Sequence, residues 1–147
     1  MSLYLVFFDA TVWISAIHKP VGFNAGLLNI AWHKAFMTLY SSGVSEEITH
    51  WISRQKKPEK QVELSGRHVS LIQTIRPEQV QISPDDFPQW PGVPESDRHV
   101  VAAAVKGNAD IIVTGKMRHI NKPSVRDAVK HVMNPLQFLV WFKNIHG

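Results

Sequence analysis

The sequence contains no cysteine. That excludes a disulfide scaffold, a thiol nucleophile and every cysteine-ligated metal site. No run of 18 or more apolar residues occurs, so no membrane-spanning helix is expected. No two of the eight histidines lie three or four residues apart, which removes the HExxH zinc helix. There is no GxGxxG, and Gly115-Lys116 lacks the upstream glycine of a P-loop. The GxSxG elbow is also missing, though a Ser-His-Asp site built without it stays open. The opening, MSLYLVFFDA, has no basic segment before its apolar run and meets Asp9 at once, so it does not read as a signal peptide. The expectation is a soluble, cytoplasmic domain with no membrane contact.

What is present fits one domain, residues 1–147. Hydrophobic residues make up 44% and charged residues 19%, a globular balance. The formal charge is +4, and its distribution is uneven. Between Lys116 and His131 stand Lys116, Arg118, Lys122, Arg126 and Lys130 against one acid, Asp127. A second basic run, Arg54, Lys56, Lys57 and Lys60, is opposed only by Glu59. Such runs are either solvated faces or a phosphate-binding face.

The apolar run 3–8 (LYLVFF) predicts a strand buried on both faces and ended by Asp9. Thr11 is the expected cap of a short helix, 12–17. Over 25–40, Leu27, Leu28, Ala31, Trp32, Ala35, Phe36 and Leu39 recur at threes and fours, predicting one amphipathic helix stopped by Ser41-Ser42-Gly43. Ser45 then opens a helix with Glu46 and Glu47 in its first turn, running to about Gln55. A helix is expected over 60–75 and a short strand near Val80 and Ile82. The stretch 83–94, with four prolines, reads as a surface loop. Ser96-Asp97 caps a helix over 98–106, Asp110 opens a strand over 111–114, and a polar segment fills 115–127. A last strand is expected near 129–133 and a helix over 135–145. Strands alternating with helices predict an α/β protein, three layers of helix, parallel sheet and helix.

In an open parallel sheet, ligands bind outside the carboxyl ends of the strands. Asp9 and Thr114-Gly115-Lys116 fall at such ends, and the helix opened by Asp97 begins on the same side. Asp9 and Asp97 can therefore converge, and convergent carboxylates bind Mg²⁺ or Mn²⁺. The plainer readings are a turn former for Asp9, a helix cap for Asp97, first-turn acids for Glu46 and Glu47, and a solvent-facing lysine at 116.

Two segments carry a resemblance. VFFDATVWISA (6–16) and SDRHVVAAAVKGNADIIVT (96–114) resemble the PIN domain, the nuclease fold of VapC-type toxins in toxin–antitoxin pairs. VSEEI (44–48) and the ending from Asn134-Pro135 to Leu139 are weaker matches. The resemblance implies an RNA phosphodiesterase in which three or four acids hold Mg²⁺ or Mn²⁺. By that likeness Asp9 is the first acid and Asp97 the third. Trp51, beside His50, stands where the family has its second acid, with Glu47 one turn earlier on the same face. Lys116 stands where Asp or Asn is usual, and His119 where a further acid is often found. An ammonium about 4 Å from a divalent ion is repelled by roughly 8 kcal/mol at an effective dielectric near 20, unless the side chain swings away or itself serves as a built-in cation.

Two functions follow. The first is a metal-dependent endoribonuclease, the toxin of a toxin–antitoxin system. Asp9 and Asp97 hold Mg²⁺ or Mn²⁺, Glu47 adds a weak third ligand, and Lys116, Arg118 and Arg98 contact RNA phosphate. The alternative is a degenerate PIN domain without cleavage, serving as an RNA-binding or protein-interaction module. An antitoxin partner and a homodimer are implied by the resemblance. Five tryptophans, Trp90 among them, are either contact surface or core.

Overall fold

A computed structural model describes residues 3–32, 36–87 and 90–146. Five parallel strands form one sheet in the order β3-β2-β1-β4-β5. Strand β1 (Leu5–Phe8) is central, flanked by β2 (Met37–Ser41) and β4 (Ile111–Val113), with β3 (Glu78–Val80) and β5 (His131–Met133) at the edges. Val6, Phe7, Phe8 and Ile111–Val113 are fully buried, as an unbroken apolar run requires when helices cover both faces. Register pairs Val6 with both Thr38 and Ile111. The chain winds outward from β1 to β3 and then returns to β1's other side with β4. This leaves a topological switch point at the carboxyl end of β1, the place where such sheets bind ligands.

The helices are α1 (Ala10–His18), α2 (Phe23–Trp32), α3 (Ser42–Ser53), α4 (Pro58–Ile75), α5 (Arg98–Lys106), α6 (Met117–Ile120), α7 (Pro123–Arg126) and α8 (Pro135–His146). Phe138 of α8 meets Phe8 and Phe36 edge-on at 5.6 and 5.3 Å, sealing one face of the sheet. On α4, Arg67 donates to the carbonyl of Ile17 at 3.0 Å and His68 bonds Tyr40, tying that helix to α1 and β2. Trp90 packs against the core rather than standing out as a contact residue.

Several sequence expectations are corrected. The helix expected over 25–40 ends at Trp32, and Met37–Ser41 is a strand (33–35, with Ala35, lie outside the described residues). Helical spacing continued by chance into a strand whose residues from Thr38 onward are buried, and a short apolar run does not distinguish the two. Ser41 therefore caps the next helix instead of stopping the previous one: its Oγ accepts from Val44 N. That starts α3 three residues before Ser45 and puts Glu46 and Glu47 beyond its first turn. Asp9, not Thr11, caps α1, accepting from Thr11 N at 3.0 Å. The third strand is Glu78–Val80, short of Ile82. Its neighbouring loop holds a 3-10 turn, Pro84–Asp86, while 88–89 lie outside the described residues. The polar stretch after β4 holds the one-turn helices α6 and α7.

Candidate active site at the carboxyl edge of the sheet

Asp9 follows β1 directly and is only 2% exposed. Its Oδ1 accepts from Thr11 N at 3.0 Å and from the Thr11 hydroxyl, while Oδ2 accepts from the Thr114 hydroxyl. Each threonine oxygen also accepts a backbone N–H: Gly115 N donates to Thr11 Oγ1 at 2.9 Å, and Lys116 N to Thr114 Oγ1 at 2.8 Å. The loop after β4 is thus tied to the carboxylate after β1 through two hydroxyls. Burial pushes the Asp9 carboxyl above its ordinary pKa, against the hydrogen bonds from Thr11 and Thr114; the Glu47 charge pushes the same way.

Asp97 is also 2% exposed and lies in a 3-10 turn, Glu95–Asp97, that runs into α5. It occupies the cap position, yet its side chain makes no capping bond. The carboxylate turns inward instead: Oδ1 meets Lys116 Nζ at 3.2 Å, and Oδ2 meets His119 Nδ1 at 3.0 Å. Lys116 leaves 38% of its side chain exposed. Burial works against its charge, but the carboxylates of Asp97, Glu47 and Asp9 outweigh it and hold its pKa above the ordinary lysine value.

Glu47 projects from α3 toward this centre, and its Oε1 lies 2.5 Å from His99 Nε2 on α5. Gly43, one turn before it, permits that pairing, because a Cβ there would stand 2.4 Å from His99 Nδ1. The three acids and Lys116 proposed from sequence are therefore brought together. Arg118 is exposed on α6 at the rim. Arg98 is turned to the preceding loop, its Nε donating to the Val93 carbonyl at 3.4 Å. Thr11, Thr114, His99 and His119 complete the centre without having been assigned a role in it from sequence. Two of them had a signal: His99 lies two residues after Asp97 in the segment 96–114, and His119 stands where the resemblance places a further acid.

Three carboxylates, Asp9, Asp97 and Glu47, act on one ammonium, Lys116, with His99 against Glu47 and His119 against Asp97. Among the described residues, no three His, Cys, Asp or Glu side chains are grouped closely enough to ligate a single ion directly. Two clefts flank the centre. One, of about 530 Å³, lies on the Glu47 side and includes Gly43, Glu46, His50, Phe87 and His99. The other, of about 510 Å³, lies between α1 and α3 and includes Thr11 and Trp51.

A family model described as PIN domain matches residues 5–118. Among curated proteins, none matches the sequence significantly. The fold is similar to that in three solved structures. The VapBC2 structure from Rickettsia felis, bound to a DNA fragment from its promoter, is 16% identical, with TM-score 0.66, covering 88% of this chain and 98% of that one. The DNA-bound VapBC of Salmonella typhimurium is 13% identical, with TM-score 0.62 and coverage of 90% and 99%. FitAcB from Neisseria gonorrhoeae is 16% identical, with TM-score 0.59 and coverage of 89% and 98%. At these identities the likeness is one of fold. Among the described residues no helix is long and apolar enough to cross a membrane.

Proposed function

This chain belongs to the PIN-domain family, and from that premise we propose that it is a toxin-type endoribonuclease, hydrolysing RNA phosphodiester bonds with Mg²⁺ or Mn²⁺ at Asp9 and Asp97. The observation that supports this reading is the gathering of acids: buried Asp9, buried Asp97 and Glu47 all act on the Lys116 ammonium. The donor set suits a hard divalent ion. Mg²⁺ commonly takes one or two carboxylates and keeps water in its other positions, so two direct ligands suffice. A divalent ion bound there supplies Lewis-acid stabilisation of the charge on the scissile phosphate.

The chain's own residues have distinct tasks in this reading. Thr11 and Thr114 fix the Asp9 carboxylate in orientation through both its oxygens. Glu47, steadied by His99, adds negative charge rather than a third direct bond. Lys116 leaves Asp97 for an RNA phosphate, aided by Arg118 at the rim; Arg98 contributes charge from beside the loop. An antitoxin protein and self-association into a homodimer are the partners this reading carries, by analogy with the VapBC and FitAcB assemblies.

A specific contact favours a second reading. Lys116 Nζ, 3.2 Å from Asp97 Oδ1, is a built-in cation against one of the two acids. In that case the domain binds RNA or protein without cutting. Soaking crystals in Mn²⁺ and assaying RNA cleavage with and without the ion separates the two. Anomalous density at Asp9 and Asp97, with Mn²⁺-dependent cleavage lost in Asp9→Asn, supports the nuclease. No ion at millimolar Mn²⁺ and no cleavage leaves only the second reading.

A further inference from the structure

The cleft between α1 and α3 has a composition unlike that of its neighbour across the acidic centre. It is lined by Thr11, Ile14, Ser15, His18, Lys19 and Trp51. No acid lines it, whereas Glu46 and Glu47 line the other cleft. Trp51 follows Glu47 by one turn of α3, so both lie on the same helix face. The acid is held by His99 and its charge acts on Asp9 and Lys116; the indole, half-buried, meets α1. There the His18 ring stands edge-to-face with it, centroids 6.2 Å apart at 88°. An edge-to-face pair leaves ring faces open for a third ring. Lys19, exposed, places an ammonium at the far end.

Thr11 joins this cleft to the acidic centre, because its hydroxyl both donates to Asp9 and accepts from Gly115 N. From Thr11 to His18 is about 10 Å along α1 at 1.5 Å per residue, so the cleft runs away from the centre by about two helical turns. A volume near 510 Å³ is ample for one nucleoside.

We propose that this cleft is a nucleotide-binding subsite for single-stranded RNA, in which a base stacks on the Trp51 indole beside the His18 ring while Lys19 neutralises the adjoining phosphate. It rests on the RNA reading above, and it gives that reading a path for the strand: out of the acidic centre along the acid-free α1–α3 groove, not across Glu46 and Glu47. Stacking accepts any base, so the subsite sets strand position rather than sequence.

The test uses the full chain in EDTA, so that binding is read without cleavage. The probe is a fluorescein-labelled oligouridine eight nucleotides long, compared with the same strand carrying abasic sites. Trp51→Ala should weaken binding about tenfold or more. Trp51→Phe, which keeps a ring and most of the packing against the core, should restore most of it. Lys19→Ala should weaken binding and flatten its salt dependence. The abasic strand should bind wild type no better than the intact strand binds Trp51→Ala. Melting curves of each variant guard against loss of fold. If the intact and abasic strands bind equally, or if Trp51→Phe is as impaired as Trp51→Ala while both stay folded, the subsite is wrong but RNA binding stands. If wild type binds neither strand, the RNA reading fails and takes the subsite with it.

Discussion

At the scale of single residues, the centre is a set of charges held in a costly arrangement. Asp9 is buried, and its hydrogen-bond donors among the described residues are neutral groups. Because its folded pKa is raised above the ordinary 3.8, the folded state holds its proton more tightly than the unfolded state does. Stability is therefore lost as the pH rises from about 3.8 through the higher folded value, and it stays reduced at neutral pH. Asp9→Asn removes the charge while keeping the shape. It should raise the melting temperature at pH 7 by a few degrees, about 3 °C for each kcal/mol recovered, while reducing cleavage to background. A variant that melts lower would show that the carboxylate, not its burial, dominates. Lys116→Asn removes the ammonium from Asp97 and leaves an oxygen ligand. Mn²⁺ affinity, followed by the loss of free-ion EPR signal, should rise about tenfold or more, since even a screened unit charge near a divalent ion costs over 1 kcal/mol. An unchanged titration would mean that Lys116 does not weaken ion binding.

At the scale of elements, the site depends on α3 starting where it does. Ser41 ends β2 and caps α3 at once, so the helix begins directly off the sheet. This brings Glu47, not Trp51, level with Asp9. The α3–α5 contact then relies on Gly43 lying against the His99 ring. Gly43→Ala should gain helix propensity of about 1 kcal/mol in an unconstrained helix, yet here it must displace His99. The expected outcome is net destabilisation of about 1–3 kcal/mol, in the range of other overpacked positions, with the His99 ring signals in an NMR spectrum shifted. A stabilised protein with unmoved His99 signals would contradict the packing described. The apolar spacing over 25–40 had no way to reveal this arrangement. Leu27 and Leu28 face the core from a helix and Leu39 and Tyr40 from a strand, and periodicity alone joined them. The 98–106 helix was legible to the residue, because an acid before it, alanines within it and Gly107 after it all agree.

At the scale of the whole molecule, the switch point between β1 and β4 is what gathers residues 9, 47, 97 and 116. Its rigidity comes from the apolar layers on either side. Phe138 is fully buried against Phe8, the residue that precedes Asp9. Phe138→Ala should cost about 3–5 kcal/mol, lowering the melting temperature by roughly 10 °C and loosening the end of β1. A loss under 1 kcal/mol in urea unfolding would mean that α8 is not part of the cooperative core. The sequence by itself determined the fold class, because continuous apolar runs next to amphipathic segments admit few arrangements other than a covered parallel sheet. It also determined that Asp9 and Asp97 share one side of that sheet, since strand and helix directions fix which ends meet. Only the tertiary structure decided their partners. Which hydroxyl holds Asp9, that Lys116 and His119 share Asp97, and that Glu47 faces the centre while Trp51 faces α1 all depend on where α3 begins and how the loop after β4 turns. Those are long-range contacts, between residues up to 105 positions apart, and nothing local in the chain encodes them.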